Sequence, residues 1–406
     1  MANFDLIRRL ATRTDSKIVL LVMDGLGGLP VTPGGPTELE AAHTPHMDRL
    51  AAEGTLGQLV PIVSGVTPGS GPAHLALFGY DPVVYDIGRG VLEAFGVGVL
   101  VGPGDVAIRA NFCTIDADGN ITDRRAGRIS SEAAEPIVAE LAKITVPGVT
   151  FEVKHVKEYR FVIVVRGEGL GSRVHDTDPQ KTGVPPLPAA PIDPTDAASA
   201  HTAEVINAWL AQAREILKNH FPANFLTARG VSTDPALPKF SDVYALNPAC
   251  VAVYPMYKGV STLVGMDVKH FEGSTPMHEF AALAANWASH DFFFTHIKYT
   301  DSRGEDGDFD AKVKVIEEVD RALPDLLALN PDVIAITGDH STPARLKSHS
   351  WHPVPLLIWS KERSLPDRQT AFGERNCQQG GLGTLPSTDL MPLLLAHAGK
   401  LQRFGA

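Results

Sequence analysis

The stretch DVIAITGDHST, residues 332–342, is the clearest fold signal in the chain. Its first part, residues 333–336, is short, β-branched and uninterrupted, which is typical of a buried strand in a parallel sheet. The chain then turns at Gly338 and presents Asp339 and His340 where the strand ends. Because open α/β sheets bind ligands at the carboxyl ends of their strands, we expect this pair at a functional edge.

Two other apolar runs end in the same way. Residues 17–23, KIVLLVM, lead into Asp24, and residues 292–298, FFFTHIK, lead towards Asp301. Parallel strands present their carboxyl ends at one edge of a sheet, so the acidic residues of all three runs are expected to lie together. Carboxylates beside an imidazole suit a divalent cation. The sequence therefore predicts a metal site at this edge of an α/β sheet.

Composition narrows the class of protein. A chain of 406 residues is long for one core, so two domains are expected, and its net charge of −11 argues against non-specific nucleic-acid binding. The three cysteines, Cys113, Cys250 and Cys377, have no metal-binding spacing and favour a reducing compartment. No run resembles a signal peptide or reaches the roughly 18 apolar residues of a membrane span, so the sequence predicts a cytoplasmic protein.

Changes of pattern divide the chain into two predicted domains. The first is discontinuous, comprises residues 1–88 and 250–406, and contains the parallel sheet. The second, residues 89–249, is inserted into the first and is expected to be a smaller α/β unit with a partly antiparallel sheet. The inserted domain is predicted to contain strands at 106–112 and 159–166 and helices at 131–143 and 195–217.

Ser70 lies in the segment VTPGSGPAHLALFG, residues 66–79, where glycine and proline form a turn before an apolar helix. A serine at a helix N-terminus lies beside free backbone N–H groups, which together with the helix dipole favour an anion. Two interpretations are open from the local sequence: Ser70 is a site residue, or it is only the cap of the helix.

A second group of candidate ligands lies after the apolar run at 292–298, before and after the run at 333–336. Asp301 and Glu305 are four residues apart, so one helical turn would direct both to one place, although a solvated acidic loop is the alternative. His349 follows Asp339 and His340 closely along the chain. A pair of divalent metals about 3.5–4 Å apart needs roughly this many donors. The oxygen and nitrogen donors are Asp24, Ser70, Asp301, Glu305, Asp339, His340 and His349.

Other polar segments are candidates for binding an anionic substrate. The segment DRRAGR, residues 123–128, holds three arginines, whose forked guanidinium groups bind phosphate or carboxylate. Each candidate also has a simpler interpretation. The arginines could form a surface basic patch, the loop at 175–178 could be an Asx turn before Pro179, and Lys258 could be a solvated lysine after the strand at 250–254. The candidate substrate-binding residues are Arg124, Arg125, Arg128, His175, Asp176, Asp178 and Lys258.

These motifs together resemble the cofactor-independent phosphoglycerate mutases of the archaeal-type branch, within the alkaline phosphatase superfamily. The resemblance covers nearly the whole chain, and the motifs occur in the family's order. It implies an alkaline-phosphatase-like α/β core, with a central mostly parallel sheet flanked by helices, and an inserted smaller α/β lid domain. The matching segments are residues 24–25, 67–74, 123–128, 176–179, 254–259 and 338–343.

The resemblance also implies a reaction, the interconversion of 2- and 3-phosphoglycerate in glycolysis and gluconeogenesis through a phosphoserine at Ser70. Two divalent ions are expected, with Mn²⁺ first and Mg²⁺ or Zn²⁺ as alternatives, and no 2,3-bisphosphoglycerate is needed. The family usually has histidine where this chain has Glu305, which affects the identity and affinity of one metal. The implied ligands are Asp24, Ser70, Asp339 and His340 for one ion, and Asp301, Glu305 and His349 for the other.

Two other classes of function compete with this interpretation. A metal-dependent phosphatase or phosphotransferase could act on another small phosphorylated metabolite, as homoserine-kinase-like relatives would, but the chain has no Walker A or kinase motif. A metal-stabilised binding or scaffold protein would leave Ser70 and the clustered arginines without a role. The expected partner is a small phosphoglycerate, with no nucleic acid and no membrane, and a homo-oligomer is compatible with the sequence.

Overall fold

A computed structural model describes residues 4–405 of the chain. These residues divide into two compact units, one formed by the segments up to Asp86 and from Leu237 onward, the other by Ile87–Ala236. The structure thus assigns residues 237–249, which the sequence pattern placed in the inserted domain, to the first unit. The reason is the packing of Tyr244, which is fully buried and donates a hydrogen bond to the carbonyl oxygen of Phe78.

The secondary-structure elements are numbered along the chain. The strands are β1 Ile18–Met23, β2 Thr55–Val60, β3 Val106–Ile115, β4 Ile121–Asp123, β5 Val149–Lys157, β6 Arg160–Gly167, β7 Phe225–Thr233, β8 Pro248–Ala252, β9 Asp267–Val268, β10 Phe292–Ile297, β11 Val333–Thr337, β12 Val354–Ser360 and β13 Gly383–Pro386. The α-helices are α1 Phe4–Leu10, α2 Glu38–Ala41, α3 Pro45–Glu53, α4 Ser70–Leu77, α5 Arg89–Gly96, α6 Ser131–Leu141, α7 Ala197–Leu217, α8 Phe240–Tyr244, α9 Pro255–Leu263, α10 Pro276–Ala285, α11 Tyr299–Asp306, α12 Phe309–Leu327, α13 Glu374–Gln378 and α14 Leu390–His397.

The first unit is built on an eight-stranded sheet in the order β13-β2-β12-β11-β1-β10-β8-β9. All pairs of neighbours are parallel except those made by β12, which runs against both β11 and β2. Every residue of β1 is buried, as expected for a central strand covered on both faces. The predicted α/β core, with a mostly parallel sheet flanked by helices, is therefore confirmed.

The register of the three central strands places their carboxyl ends together. Met23 of β1 is level with Ile297 of β10, and Val22 is level with Thr337 of β11. The loops that follow these strands therefore leave the same edge of the sheet side by side. This is the geometric reason why residues far apart in the chain form one site.

The second unit contains a five-stranded antiparallel sheet in which β3 pairs with β4, β6 and β7, and β6 pairs with β5. Helices α6 and α7 cover it with a separate hydrophobic core that includes Trp209. The sequence pattern predicted β3, β6 and both helices but not β5 or β7. The strand β5 is mostly half-exposed and carries charged residues, and β7 is interrupted by Gly230 in the left-handed region, so neither shows a clean apolar alternation.

Two further findings bear on the class of protein. Within residues 4–405, no helix combines the length and the apolar character needed to cross a membrane. The three cysteines are free and buried.

Candidate metal centre

A buried cluster of Asp24, Asp339 and His340 lies at the carboxyl ends of β1 and β11. The three residues offer ligand atoms that all lie within 4.8 Å of one another. Nε2 of His340 is 3.4 Å from Oδ1 of Asp24 and 3.2 Å from Oδ2 of Asp339. These two carboxylate oxygens are buried and accept no hydrogen bond from the described residues. Such oxygens are costly to bury alone, so the cluster fits a bound divalent cation.

A second cluster comprises Asp301, His340 and His349, again with ligand atoms within 4.8 Å. Nδ1 of His349 lies 3.0 Å from the carbonyl oxygen of Pro68, so it carries the proton and leaves the lone pair of Nε2 free. This Nε2 is 3.6 Å from Oδ1 of Asp301 and 3.8 Å from Oε1 of Glu305. Glu305 is one turn after Asp301 on α11, and 54% of its side chain is exposed. Its carboxylate is thus within reach of the second cluster.

Ser70 is the first residue of α4, and the residue that caps this helix is Gly69. The serine side chain makes no capping hydrogen bond. Its Oγ lies 3.0 Å from Nε2 of His340, the residue that the two clusters share. The structure therefore excludes the interpretation of Ser70 as an ordinary cap, because its hydroxyl is directed at the clusters.

The proton positions on His340 follow from its other contact. The hydroxyl of Thr342 donates its only proton to Oδ1 of Asp301 at 2.7 Å, so Nδ1 of His340, 3.0 Å from the same hydroxyl, must be the donor to it. Burial lowers the pKa of His340 to about 4, so the ring is neutral near pH 7. Nε2 consequently has a free lone pair and accepts the Ser70 hydroxyl proton or binds a cation.

The pKa values of the two carboxylates in the first cluster are shifted in opposite directions, because their neighbours differ. Burial acts to raise the pKa of Asp24, but His296 and the Lys298 ammonium together hold this pKa well below its usual range. Burial and the negative charge of Asp24 raise the pKa of Asp339 well above its usual range. Without a bound cation, the surroundings thus favour the ionised form of Asp24 and the protonated form of Asp339.

Two lysines that the sequence analysis did not single out hold this arrangement together. Nζ of Lys298 lies 3.0 Å from Oδ2 of Asp24 and 2.6 Å from Oδ2 of Asp301, so it links one carboxylate of each cluster. Lys312 of α12 is fully buried and donates hydrogen bonds to the carbonyl oxygens of Gly25, Gly27 and Thr342. It thereby fastens the loop after β1 to the loop after β11.

An aromatic layer of three buried side chains, His74, Tyr257 and His296, lies against the acidic residues of the first cluster. Nδ1 of His74 is 2.8 Å from the carbonyl oxygen of Ser70 and 3.3 Å from Oδ2 of Asp339. The rings of Tyr257 and His296 stack with their centroids 3.7 Å apart. Of the three, His74 had a sequence signal because it is four residues after Ser70 and so shares a helix face with it, and Tyr257 lies in the matching segment 254–259 but had no predicted role there.

In the second unit, two of the candidate substrate-binding residues pair with each other. Arg124 makes a two-pronged contact with Asp178, with nitrogen–oxygen distances of 3.1 and 2.8 Å. Asp176 accepts hydrogen bonds from the backbone of Gly230 and from the side chain of Arg229. These contacts tie the segment 176–178 to β7 and to the arginine loop.

The remaining candidates present free polar groups. Arg125, Arg128 and His175 are exposed, and within the described residues none of their side chains forms an ion pair. The carboxylate of Asp123 accepts hydrogen bonds from the backbone of Arg125 and Gly127, which holds the loop in shape. In the first unit, Lys258 is half-buried on α9 and is likewise without an ion pair among the described side chains.

Comparison with known proteins agrees with this geometry. The sequence profile described as 2,3-bisphosphoglycerate-independent phosphoglycerate mutase matches residues 51–224. A Thermus thermophilus protein named "Probable 2,3-bisphosphoglycerate-independent phosphoglycerate mutase" is 52% identical, with all of both chains covered. A Deinococcus radiodurans protein of the same name is 52% identical over 99% of each chain.

Two solved structures share the fold over nearly their whole length. The cofactor-independent phosphoglycerate mutase of Thermoplasma acidophilum is 34% identical with a TM-score of 0.75, covering 94% of this chain and 100% of the other. A Pyrococcus horikoshii protein is 32% identical with a TM-score of 0.78, covering 96% and 99%. Fold and site together define an α/β protein with candidate metal-binding clusters at the carboxyl edge of its main sheet. The chain belongs to the 2,3-bisphosphoglycerate-independent phosphoglycerate mutase family.

The burial of His74 leads to a prediction about how the stability of the protein depends on pH. Burial lowers its pKa to about 3 from the ordinary value of 6.5, so between these values the unfolded chain binds a proton that the folded protein does not. Stability of the metal-free protein should therefore rise with pH across this window. In His74→Asn, which keeps a donor towards Ser70, the slope should fall by up to about 1.4 kcal/mol per pH unit. Urea unfolding at pH 4.5–7 measures it, and an unchanged slope would contradict this account.

Proposed function

We propose that this protein interconverts 2-phosphoglycerate and 3-phosphoglycerate through a phosphoserine at Ser70, as a step of glycolysis and gluconeogenesis. The observation that carries the proposal is the placement of the Ser70 hydroxyl, 3.0 Å from the unprotonated Nε2 of His340 and at the start of a helix. A serine hydroxyl is a weak nucleophile until a base or a cation takes over its proton. Membership of the mutase family supports the choice of substrate.

We propose two divalent metal ions as cofactors, Mn²⁺ first and Mg²⁺ or Zn²⁺ as alternatives, with no requirement for 2,3-bisphosphoglycerate. The donor set supports this, because it contains only oxygen and nitrogen atoms and includes two buried carboxylate oxygens that accept no hydrogen bond from residues 4–405. When bound, such ions would activate the serine and neutralise phosphoryl oxygens. The proposed ligands are Asp24, Ser70, Asp339 and His340 for one ion, and Asp301, Glu305 and His349 for the other.

The reaction needs little from the protein beyond positioning and charge. Oγ of Ser70 would attack the phosphorus of the substrate while the bond from phosphorus to the glycerate oxygen breaks, which leaves phosphoserine and glycerate. The first backbone N–H groups of α4 and the ammonium of Lys258 would bind the phosphoryl oxygens. The other hydroxyl of glycerate would then attack the phosphoserine and regenerate Ser70.

A mutase must also retain glycerate between the two transfers, and we propose that the second unit acts as a lid with this task. Arg125 and Arg128 have exposed guanidinium groups that are free to bind a carboxylate, whereas Arg124 is already engaged by Asp178. His175 and Asp176 are the proposed proton-handling pair beside the substrate hydroxyls. Holding glycerate and excluding water are what separate a mutase from a phosphatase.

We propose the cytoplasm as the place of action, with phosphoglycerate as the only partner required. Three free and buried cysteines support a reducing compartment. A homo-oligomer remains compatible with this proposal.

Replacing the nucleophile is the direct test of the proposed function. Ser70→Ala should keep the fold and bind divalent metal, yet lose mutase turnover by at least about 10³-fold, because the covalent route is closed. The matched control is Ser64→Ala, an exposed serine in the loop before α4, which should behave as wild type. An enolase-coupled assay and mass spectrometry of trapped phosphoserine measure the outcome. Substantial turnover by Ser70→Ala would refute the proposal.

The acidic residue at position 305 gives a second prediction. Because Oε1 of Glu305 is only 3.8 Å from Nε2 of His349, Glu305→Ala should weaken Mn²⁺ binding at one site by roughly tenfold or more, whereas Glu305→His should keep metal and some activity. Asp306→Ala, its exposed neighbour, is the control. Mn²⁺ titration calorimetry on the chelator-treated proteins measures both. Equal affinities in Glu305→Ala and wild type would show that this carboxylate is not a ligand.

The third prediction concerns the arginine loop. Arg128→Ala, given 3-phosphoglycerate, should make less 2-phosphoglycerate and relatively more free phosphate, because glycerate escapes and water reaches the phosphoserine. Arg214→Ala, an exposed arginine on α7, is the control. Parallel enolase-coupled and phosphate-release assays give the ratio, which must differ from wild type if Arg128 retains the intermediate. A wild-type protein that releases phosphate and forms no 2-phosphoglycerate would instead be a phosphatase.

A further inference from the structure

The carboxylate of Asp24 has two oxygens with different surroundings. Oδ2 accepts a hydrogen bond from the hydroxyl of Tyr257 and another from Nζ of Lys298 at 3.0 Å, and it lies 3.5 Å from Nε2 of His296. Oδ1 accepts no hydrogen bond from the described residues and lies 3.4 Å from Nε2 of His340. One oxygen is thus held by the protein, and the other is left for a ligand of the first cluster.

Tyr257 is fixed in place by its packing. Its side chain is 1% exposed, and its ring stacks on His296 with an interplanar angle of 28° and lies 4.6 Å from the ring of His74. The residue belongs to the first turn of α9, whose start is set by Pro255. Because the ring cannot swing, its hydroxyl stays directed at Asp24.

The contacts to Oδ2 differ in what they do to an incoming cation. The ammonium of Lys298 is positively charged, is shared with Asp301, and repels a metal ion as much as it orients the carboxylate. The hydroxyl of Tyr257 is a neutral donor to Asp24, and the Ser70 side chain is its other hydrogen-bond partner, so it orients the carboxylate without opposing the cation. A partner of this kind is the one expected to raise metal affinity.

We propose that Tyr257 is a positioning residue that directs Oδ1 of Asp24 into the first cluster and so sets the metal affinity of that site. This inference rests on the proposed two-metal centre and adds to it a residue that neither cluster contains. It is specific to one site, because the hydrogen-bond partners of the Tyr257 hydroxyl, Asp24 and Ser70, are both proposed ligands of the first ion, and among the described hydrogen bonds it does not contact the carboxylate of Asp301.

Tyr254 provides a matched control one turn away. It precedes α9 as its cap residue, and its ring lies 5.7 Å from the ammonium of Lys298, as the ring of Tyr257 does at 5.9 Å. It is 40% exposed, and its hydroxyl makes no hydrogen bond within the described part of the chain. The pair therefore separates the hydrogen bond to Asp24 from the general effect of a tyrosine beside Lys298.

The test is Mn²⁺ titration calorimetry on full-length protein freed of metal with a chelator, comparing wild type, Tyr257→Phe and Tyr254→Phe. In Tyr257→Phe, one of two sites should bind Mn²⁺ about 10–100-fold more weakly, while the other stays within about threefold of wild type. Tyr254→Phe should match wild type at both sites. Because phenylalanine keeps the stacked ring, the melting temperature of metal-free Tyr257→Phe should remain close to that of wild type.

Three results would overturn the inference. Unchanged Mn²⁺ affinities in Tyr257→Phe, beside a wild type that binds two ions, would remove the role of Tyr257 and leave the metal centre standing. Weakening of both sites together with a lower melting temperature of the metal-free variant would show a general structural role instead. A wild type that binds no Mn²⁺ would overturn the metal centre and this inference together.

Discussion

The structure depends on keeping three carboxylates, those of Asp24, Asp301 and Asp339, close together inside a buried site. Like charges at such distances in a low-dielectric interior repel strongly, and an isolated chain would relieve this by protonation or by moving apart. Here Asp24 and Asp339 follow paired central strands, and Asp301 is bound by Lys298 and Thr342, which holds the three carboxylates together. The ammonium of Lys298 offsets part of the charge, and divalent cations would offset the rest.

The loops that carry these acids pack so closely that Gly25 and Gly27 have no room for a side chain. A Cβ at Gly27 would lie 1.9 Å from Oγ of Ser341, and one at Gly25 would lie 2.5 Å from Oγ1 of Thr342. Lys312 bridges the same two loops through their carbonyl oxygens. Glycine at these two positions therefore leaves room for the Ser341 and Thr342 side chains of the facing loop.

The sequence predicted the strands and ligands that depend on local pattern. It missed the residues whose role depends on which way a side chain points in the folded protein. The strands β1, β10 and β11 are apolar runs with an acid at or shortly after the end, so the sheet edge and its ligands could be expected. Tyr257 and Lys312 lie on helices whose buried face is set only by packing; Tyr257 lies in the matching segment 254–259 but had no predicted role there, and Lys312 has no motif. The boundary at residue 237 was missed because the short helix α8 has no periodic pattern long enough to show where it packs.

The chain order of the sheet has a consequence for synthesis. The central strand β1 lies far upstream of its partners β10 and β11, which begin at Phe292 and Val333, so it cannot pair with them until those later residues have been synthesised. The second unit, Ile87–Ala236, is contiguous and has its own core, so it can fold first. Until β10 and β11 have been synthesised, the apolar segment IVLLVM of β1 has no strand to pair with. Unpaired apolar segments of this kind aggregate or are bound by chaperones in a nascent chain.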